Sequence, residues 1–106
     1  MYYIRMNLNR RPRIEFDEAA YHHAFDELDA LSAIAHPLRH LKHFDDDRKT
    51  GEPVSAWIGP ARGGRTIEVF AKEVRPTLTI VFHIEDVRQT TINRFDELEA
   101  TQEGTE

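Results

Sequence analysis

Residues 66–84 read TIEVFAKEVRPTLTIVFHI, and this stretch decides the fold. Apolar and polar residues alternate on both sides of Arg75-Pro76, a pattern typical of two half-buried strands joined by a tight turn. The register that brings both apolar sets onto one face also places Glu68 opposite His83. It pairs Ile67 with Ile84, Val69 with Phe82 and Ala71 with Ile80. The stretch therefore predicts an antiparallel hairpin with helices covering one face, and with Glu68, His83 and Trp57 on the other.

The rest of the chain adds shorter elements around this hairpin. Residues 1–16 predict a short, irregular strand, and residues 39–44 and 54–58 predict two more strands. Residues 45–53 and 59–65 are rich in turn-forming residues and predict the connections. Residues 90–100 predict a short C-terminal helix.

Between residues 17 and 36 the apolar spacing is helical. The side chains at three- and four-residue steps predict one face packed on the core, and they are Tyr21, Ala24, Phe25, Leu28, Leu31, Ile34 and Ala35. Asp17 is a suitable N-cap, and Pro37 disfavours a helical residue at position 36. One continuous helix and two helices with a break between Asp26 and Asp29 both fit this pattern.

Length and composition indicate one small domain. The chain has 106 residues and no cysteine, which excludes disulfides and thiolate metal sites. Residues 1–100 are expected to form the domain and residues 101–106 a disordered acidic tail. Without an apolar run long enough for a bilayer or a secretion signal, the sequence predicts an intracellular, cytoplasmic protein.

The net charge of -5 is unevenly distributed. The first 14 residues contain only basic charges, at Arg5, Arg10, Arg11 and Arg13, and the end of the chain contains only acidic ones. Those acids are Asp96, Glu97, Glu99, Glu103 and Glu106. Such an acidic tail is usually a solvated chain end. The alternative is that it contacts a basic patch of the protein or a basic partner.

Glu68 and His83 form the first candidate site. A carboxylate beside an imidazole favours its charged form and fixes its orientation, which suits proton transfer near neutral pH. A surface ion pair of little consequence is the alternative. Arg62 and Arg65, in a glycine-rich loop, and Arg88 are candidates for binding a phosphate, although solvated arginines in a turn would look the same. Trp57 is a candidate for stacking on a base, with simple packing as the alternative.

The six histidines do not predict a metal site. His22 and His23 are adjacent on a helical segment and point about 100° apart. His36, His40 and His43 have suggestive spacing, but Pro37 lies among them. Because no zinc-ligand spacing is present, we expect neither a metal nor another cofactor.

Three segments together resemble the BrnT family. Residues 35–39, AHPLR, resemble the turn that closes the family's helical part, and residues 58–69, IGPARGGRTIEV, are similar to its hairpin. Val81-Phe82-His83, followed by Arg88, resembles its next strand and arginine. The resemblance covers residues 16–95.

This resemblance implies an α+β fold of the RelE type, with two helices on one face of a small, mainly antiparallel sheet of four or five strands. It also implies the toxin of a type II toxin–antitoxin pair, a metal-independent ribonuclease that stops translation. The partners would be a cognate antitoxin and RNA, including mRNA on the ribosome, and an open sheet edge would allow a homodimer. His83, Glu68 and Arg65 would be catalytic, and Arg62 and Arg88 would bind phosphate.

Two other functions fit the sequence less well. One is a protein-binding module of the same fold without catalysis, either a decayed toxin or a protein that only pairs with an antitoxin. The other is a small metal-binding protein that uses the histidines.

Overall fold

A computed structural model of the protein describes residues 13–104, which form a five-stranded sheet, a 3-10 helix and two α-helices. In chain order they are β1 (Arg13–Phe16), the 3-10 helix (Glu18–Tyr21), α1 (Glu27–Ala35), β2 (Arg39–Asp46), β3 (Pro53–Pro60), β4 (Thr66–Arg75), β5 (Leu78–Asp86) and α2 (Gln89–Gly104). The strand order is β1-β5-β4-β3-β2, with β1 parallel to β5 and all other pairs antiparallel. The α+β class, the mainly antiparallel sheet and the C-terminal helix are thereby confirmed.

Some expectations fall outside the described residues. They concern a strand in residues 1–12 and the basic side chains of Arg5, Arg10 and Arg11. At the other end, α2 continues to Gly104, whereas the sequence predicted a helix ending at residue 100 and disorder after it. Within residues 13–104, no helix is both long enough and apolar enough to cross a membrane.

The segment between β1 and β2 is broken, as one of the two sequence alternatives proposed. Asp26 is the N-cap of α1: its side chain accepts the backbone N–H of Asp29, and the Asp29 side chain accepts the backbone N–H of Asp26. This reciprocal pair satisfies two amides at the start of the helix. The break therefore lies before Asp26, and the 3-10 helix and α1 are separate elements on the same face of the sheet.

The predicted apolar face of this segment is wrong for most of its members. Phe25 and Ile34 pack against the core as expected, but the other predicted side chains are exposed: Tyr21, Ala24, Leu28, Leu31 and Ala35. The structure buries Ala20, Ala30 and Ala33, while Leu28 is 54% and Tyr21 45% exposed. The break resets the helical phase, so side chains on opposite sides of it no longer share one face. Small side chains also let the backbones approach. A Cβ atom on Gly59 of β3 would lie 2.7 Å from the carbonyl oxygen of Ala33.

We call the side of the sheet that packs against the 3-10 helix and α1 the α1 face. Its core combines the buried alanines of these helices with the inward side chains of β4 and β5. They are Ile67, Val69, Ala71, Val81 and Ile84. Ala61, which follows β3, also belongs to this core. Every other member lies on a helix or a strand, so the face forms one continuous apolar layer.

The opposite side, which we call the α2 face, carries a second core. Phe95 of α2 is fully buried and packs on Phe44 of β2, with ring centroids 5.1 Å apart. Ala56 and Ile58 of β3 complete this core. The sequence left this side of the sheet free of helices, and α2 instead covers part of it.

The predicted hairpin register is also wrong in detail. Glu68 pairs with Glu85, and Phe70 pairs with His83, so the strands are offset from the expected alignment. An irregularity follows, because the next pair joins Ala71 to Val81 and leaves Phe82 as an extra residue. A bulge of this kind shifts the alternation by one residue. Val81 consequently belongs to the α1 face, whereas Ile80 and Phe82 line a cavity with Phe70 of the α2 face.

Candidate functional site

The side chain of Glu68 is fully buried on the α2 face and fully hydrogen-bonded. One oxygen, Oε1, accepts the backbone N–H of Arg88 at 2.9 Å. The other, Oε2, lies 2.7 Å from Nε2 of His83 and 2.8 Å from Nε of Arg88. A buried carboxylate needs such partners, because leaving it unpaired away from water is very costly.

These bonds decide the charge state of Glu68. Burial by itself raises the pKa, but hydrogen bonds from His83, Arg88 and Thr91 outweigh it and lower the pKa to about 2. Arg88 directly precedes α2, and the backbone N–H groups of Thr91 and Ile92 bond to its carbonyl. The carboxylate therefore also lies at the positive end of the helix dipole. Glu68 is ionised at neutral pH and is not a proton carrier there.

The ionised Glu68 orients His83. A carboxylate only accepts hydrogen bonds, so Nε2 of His83 carries the proton, and in the neutral ring Nδ1 has the lone pair. The imidazole stacks on the ring of Phe70, with centroids 4.6 Å apart and planes 22° apart. Its side chain is 19% exposed. The structure thus provides an oriented histidine at the protein surface.

Further charged groups surround this histidine. Glu85, two residues further along β5, lies 3.3 Å from Nε2 of His83 and 3.2 Å from Nε of Arg88. His23, from the loop after the 3-10 helix, also lies beside His83. The two rings are edge-to-face, with their centroids 5.8 Å apart. The side chain of Arg88 is 48% exposed and is held by Glu68 and Glu85. The site therefore combines two histidines, two carboxylates and one arginine.

The other two arginines named from the sequence are bound elsewhere. Arg62 bonds to Asp26 at 2.8 Å and to Asp29 at 3.1 Å through its backbone N–H, so it fastens the β3–β4 loop to the start of α1. Arg65 pairs with Asp86 at 2.5 Å, and its guanidinium lies over the ring of Phe25. Both are matched with acids, so neither presents uncompensated positive charge.

Trp57 is not part of this site. It pairs with Val69 in the β3–β4 ladder and packs against the core of the α1 face, opposite to Glu68. Its ring stacks on His40 of β2, with centroids 4.5 Å apart and planes 4° apart. The expectation that Trp57 shares a face with Glu68 and His83 is therefore wrong.

Sequence reasoning missed three residues of the site, His23, Glu85 and Thr91. His23 was considered only with its neighbour His22, since the chain shows no signal that the loop passes beside β5. Thr91 lies one turn into α2, and its burial follows from the packing of this helix over Glu68. Only the alternation of Glu68 and His83 in facing strands was visible in advance.

The α2 face also contains a cavity of about 610 Å³ beyond the part that α2 covers. Aromatic and aliphatic side chains of the sheet form its apolar part: Phe44, Val54, Phe70, Ile80 and Phe82. Asp47 and Lys72 at its rim are paired at 3.1 Å. Phe70 is common to this cavity and to the surroundings of His83.

Comparison of the chain with protein-family models, with curated proteins and with solved structures gives no match.

Proposed function

We propose that this chain is a cytoplasmic toxin of a type II toxin–antitoxin pair and that it cleaves RNA, as its resemblance to the BrnT family implies. The observation that carries this proposal is the oriented imidazole of His83, held by the buried Glu68 beside the half-exposed Arg88. A general base beside a hydrogen-bond donor for the phosphate oxygens would suit cleavage at a phosphate.

The mechanism assigns one role to each group. Nδ1 of His83 takes the proton of an RNA 2′-hydroxyl, whose oxygen attacks the adjacent phosphorus. The new bond joins the 2′-oxygen to phosphorus, the bond to the 5′-oxygen breaks, and that oxygen takes a proton from water. The hydroxide that remains takes the proton from the His83 imidazolium, which restores the neutral base. The N–H groups of Arg88 that Glu68 and Glu85 leave free donate hydrogen bonds to the phosphate oxygens, and Glu68 stabilises the imidazolium that forms. Glu68 does not accept the proton, because its pKa is about 2.

In this proposal Arg62 and Arg65 act indirectly. Arg62 holds the β3–β4 loop to α1, and Arg65 neutralises Asp86 next to Glu85. Neutralising Asp86 matters because an unpaired acid beside the site would repel the RNA backbone. Both arginines therefore support binding without being required to touch the phosphate.

The decisive experiment compares the wild-type protein with His83→Ala and His43→Ala on a fluorescently labelled RNA. His43 is a matched control, since it is an exposed histidine bonded to the carboxylate of Asp46 at 2.7 Å. Wild type and His43→Ala should cut the RNA to a 2′,3′-cyclic phosphate, and His83→Ala should lose at least about 100-fold in rate. The same RNA with 2′-deoxyribose at the cut site should stay intact.

If folded His83→Ala cleaves the RNA as fast as the wild type, the proposed role of His83 is wrong. If the wild type does not cleave RNA, the proposed ribonuclease activity is wrong. Circular dichroism of each variant checks folding. A neighbouring gene for a small DNA-binding protein whose co-expression restores growth would identify the antitoxin.

The second candidate is a protein-binding module without catalysis, and one observation favours it. Leu28 and Leu31 of α1 and Leu38 after it are 54%, 37% and 68% exposed. Leu28 and Leu31 are three residues apart and therefore lie on the same side of α1, and contiguous exposed apolar patches are typical of protein-binding surfaces. Growth arrest by wild type that persists in folded His83→Ala, without RNA cleavage, would support this function.

A further inference from the structure

Three side chains of metal-binding type meet beside β5. His23, His83 and Glu85 each bring one ligand atom to within 4.8 Å of the other two. Two of them are on alternate residues of β5, and the third comes from the loop that follows the 3-10 helix. β1 pairs with β5 only as far as Val81, and His23 lies beside the part of β5 that follows.

We propose that His23, His83 and Glu85 bind a divalent transition-metal ion, for which Zn²⁺ is the best match. Two imidazoles and one carboxylate form a donor set that Zn²⁺ and its first-row neighbours favour. Tetrahedral Zn²⁺ holds such ligand atoms about 3.3 Å apart, given bonds of about 2.0–2.1 Å. The ligand atoms lie within 4.8 Å of one another here, so binding an ion would draw them closer together.

The surroundings of His83 support this assignment independently. Metal-binding histidines usually donate their other ring N–H to a carboxylate, which fixes the tautomer and makes the ligand nitrogen more basic. Glu68 does this for His83 through Nε2, at 2.7 Å, and leaves Nδ1 for an ion. Glu85 lies 3.3 Å from the same Nε2, so an ion at Nδ1 would draw the Glu85 carboxylate along the ring edge towards Nδ1. The fully buried carboxylate of Glu68 therefore holds the half-buried histidine in one orientation before an ion arrives.

Accessibility and charge are also suitable. The side chains of His23, His83 and Glu85 are 40%, 19% and 26% exposed, so an ion can enter from solvent. Glu68 and Glu85 carry two negative charges against the single charge of Arg88. Arg88 would release Glu85 to the metal and keep Glu68. Three protein ligands leave the fourth position of a tetrahedral ion for water, as in catalytic zinc sites.

This inference does not depend on the proposed ribonuclease activity. If both hold, the ion and the RNA hydroxyl compete for Nδ1 of His83, and bound Zn²⁺ inhibits cleavage. The metal test uses no RNA, so its failure and that of the ribonuclease are distinguishable.

The test is calorimetric titration of Zn²⁺ into the full chain, purified without a histidine tag and stripped with a chelator. Wild type should bind one equivalent, and His23→Ala should bind at least about tenfold more weakly. His22→Ala is the matched control, because it removes the neighbouring exposed histidine of the same loop and should bind as wild type does. His23 and His22 are both exposed, so neither substitution should disturb folding.

A second measurement uses Co²⁺ as a spectroscopic probe. Wild type and His22→Ala should give the visible absorption of Co²⁺ with nitrogen and oxygen ligands, and both His23→Ala and Glu85→Gln should weaken it. The proposal is overturned if the wild type binds no stoichiometric Zn²⁺, or if His23→Ala binds it as tightly as His22→Ala.

Discussion

The α1 face and the α2 face of the same sheet are stabilised in different ways. On the α1 face, small apolar side chains let α1 approach so closely that Gly59 has no room for a Cβ atom. On the α2 face, aromatic rings around Phe95 share the surface with the buried charge of Glu68. Changes of volume should therefore damage the first face most, and changes of charge the second.

The largest effect is expected on the α2 face, from Glu68→Gln. The amide would put its N–H groups where the N–H groups of His83 and Arg88 already point, and it would leave Arg88 without its main partner. Removing one member of a buried ion pair costs about 3–5 kcal/mol, and we expect about 3 because Arg88 is half exposed. Urea denaturation measures this loss in the free energy of unfolding.

Glu73→Gln is the control for that experiment. It makes the same chemical change on an exposed position of β4, where an effect within about 0.5 kcal/mol is expected. A similar loss for both variants would mean that burial and bonding of Glu68 contribute nothing special, and the comparison of the two faces would fail.

The second effect tests the α1 face by adding volume. Gly59→Ala would put a methyl group 2.7 Å from the carbonyl oxygen and 3.0 Å from the Cα atom of Ala33. Because these are backbone atoms, α1 as a whole has to move, and overpacking of this kind costs about 1–3 kcal/mol.

Gly63→Ala adds the same methyl group in the β3–β4 loop, where no atom lies within 4 Å of the new Cβ. Thermal denaturation should show a clearly lower melting temperature for Gly59→Ala only. If Gly63→Ala lowers it as much, the close approach of α1 to β3 is not what limits this face.

The smallest effect concerns the rim of the cavity on the α2 face. Hydrogen bonds from the backbone N–H groups of Thr50 and Lys49 and from Lys72 lower the pKa of Asp47 to about 2. A carboxyl with a lowered pKa stabilises the fold above its ordinary pKa, near pH 4, and this stabilisation is lost as the pH falls towards 2.

Asp47→Asn should therefore reduce the free energy of unfolding slightly at pH 7, and the difference from wild type should disappear near pH 2. Asp45→Asn, two residues earlier, measures the general effect of such a change in this region. A wild-type advantage over Asp47→Asn that stays constant from pH 7 to pH 2 would contradict this origin.

Much of the sheet could be predicted from the sequence. The strands predicted at residues 39–44, 54–58, 66–74 and 77–84 begin within one residue of the observed strands and end one or two residues before them, because alternation and turn residues are local signals. The proximity of Glu68 and His83 was also expected. It survives the error in register because the two residues are diagonal neighbours in the actual ladder, close enough for their side chains to meet.

What failed depends on contacts between distant segments. The bulge at Phe82 moved Ile80 and Phe82 to the α2 face, and no local signal marks the extra residue. On the α1 face the alanines of α1 are buried and its larger leucines are not, because Gly59 lets the backbone of α1 approach β3 closely. Part of the acidic end also proved structural, since Asp96 and Glu99 of α2 both bond to Arg39 of β2.

The sequence by itself determined the hairpin and the presence of an acid and a histidine on neighbouring strands, because each follows from periodicity within a few residues. The class of the fold was implied by the resemblance of three short segments to the BrnT family. Only the tertiary structure decided which other residues surround this acid and histidine. In the structure α2 packs over Glu68, and Arg88 bonds to that carboxylate. Trp57 lies on the opposite face, and His23 lies beside His83 and Glu85. Such placements depend on how separate elements pack, and packing energy is shared among many residues far apart in the chain.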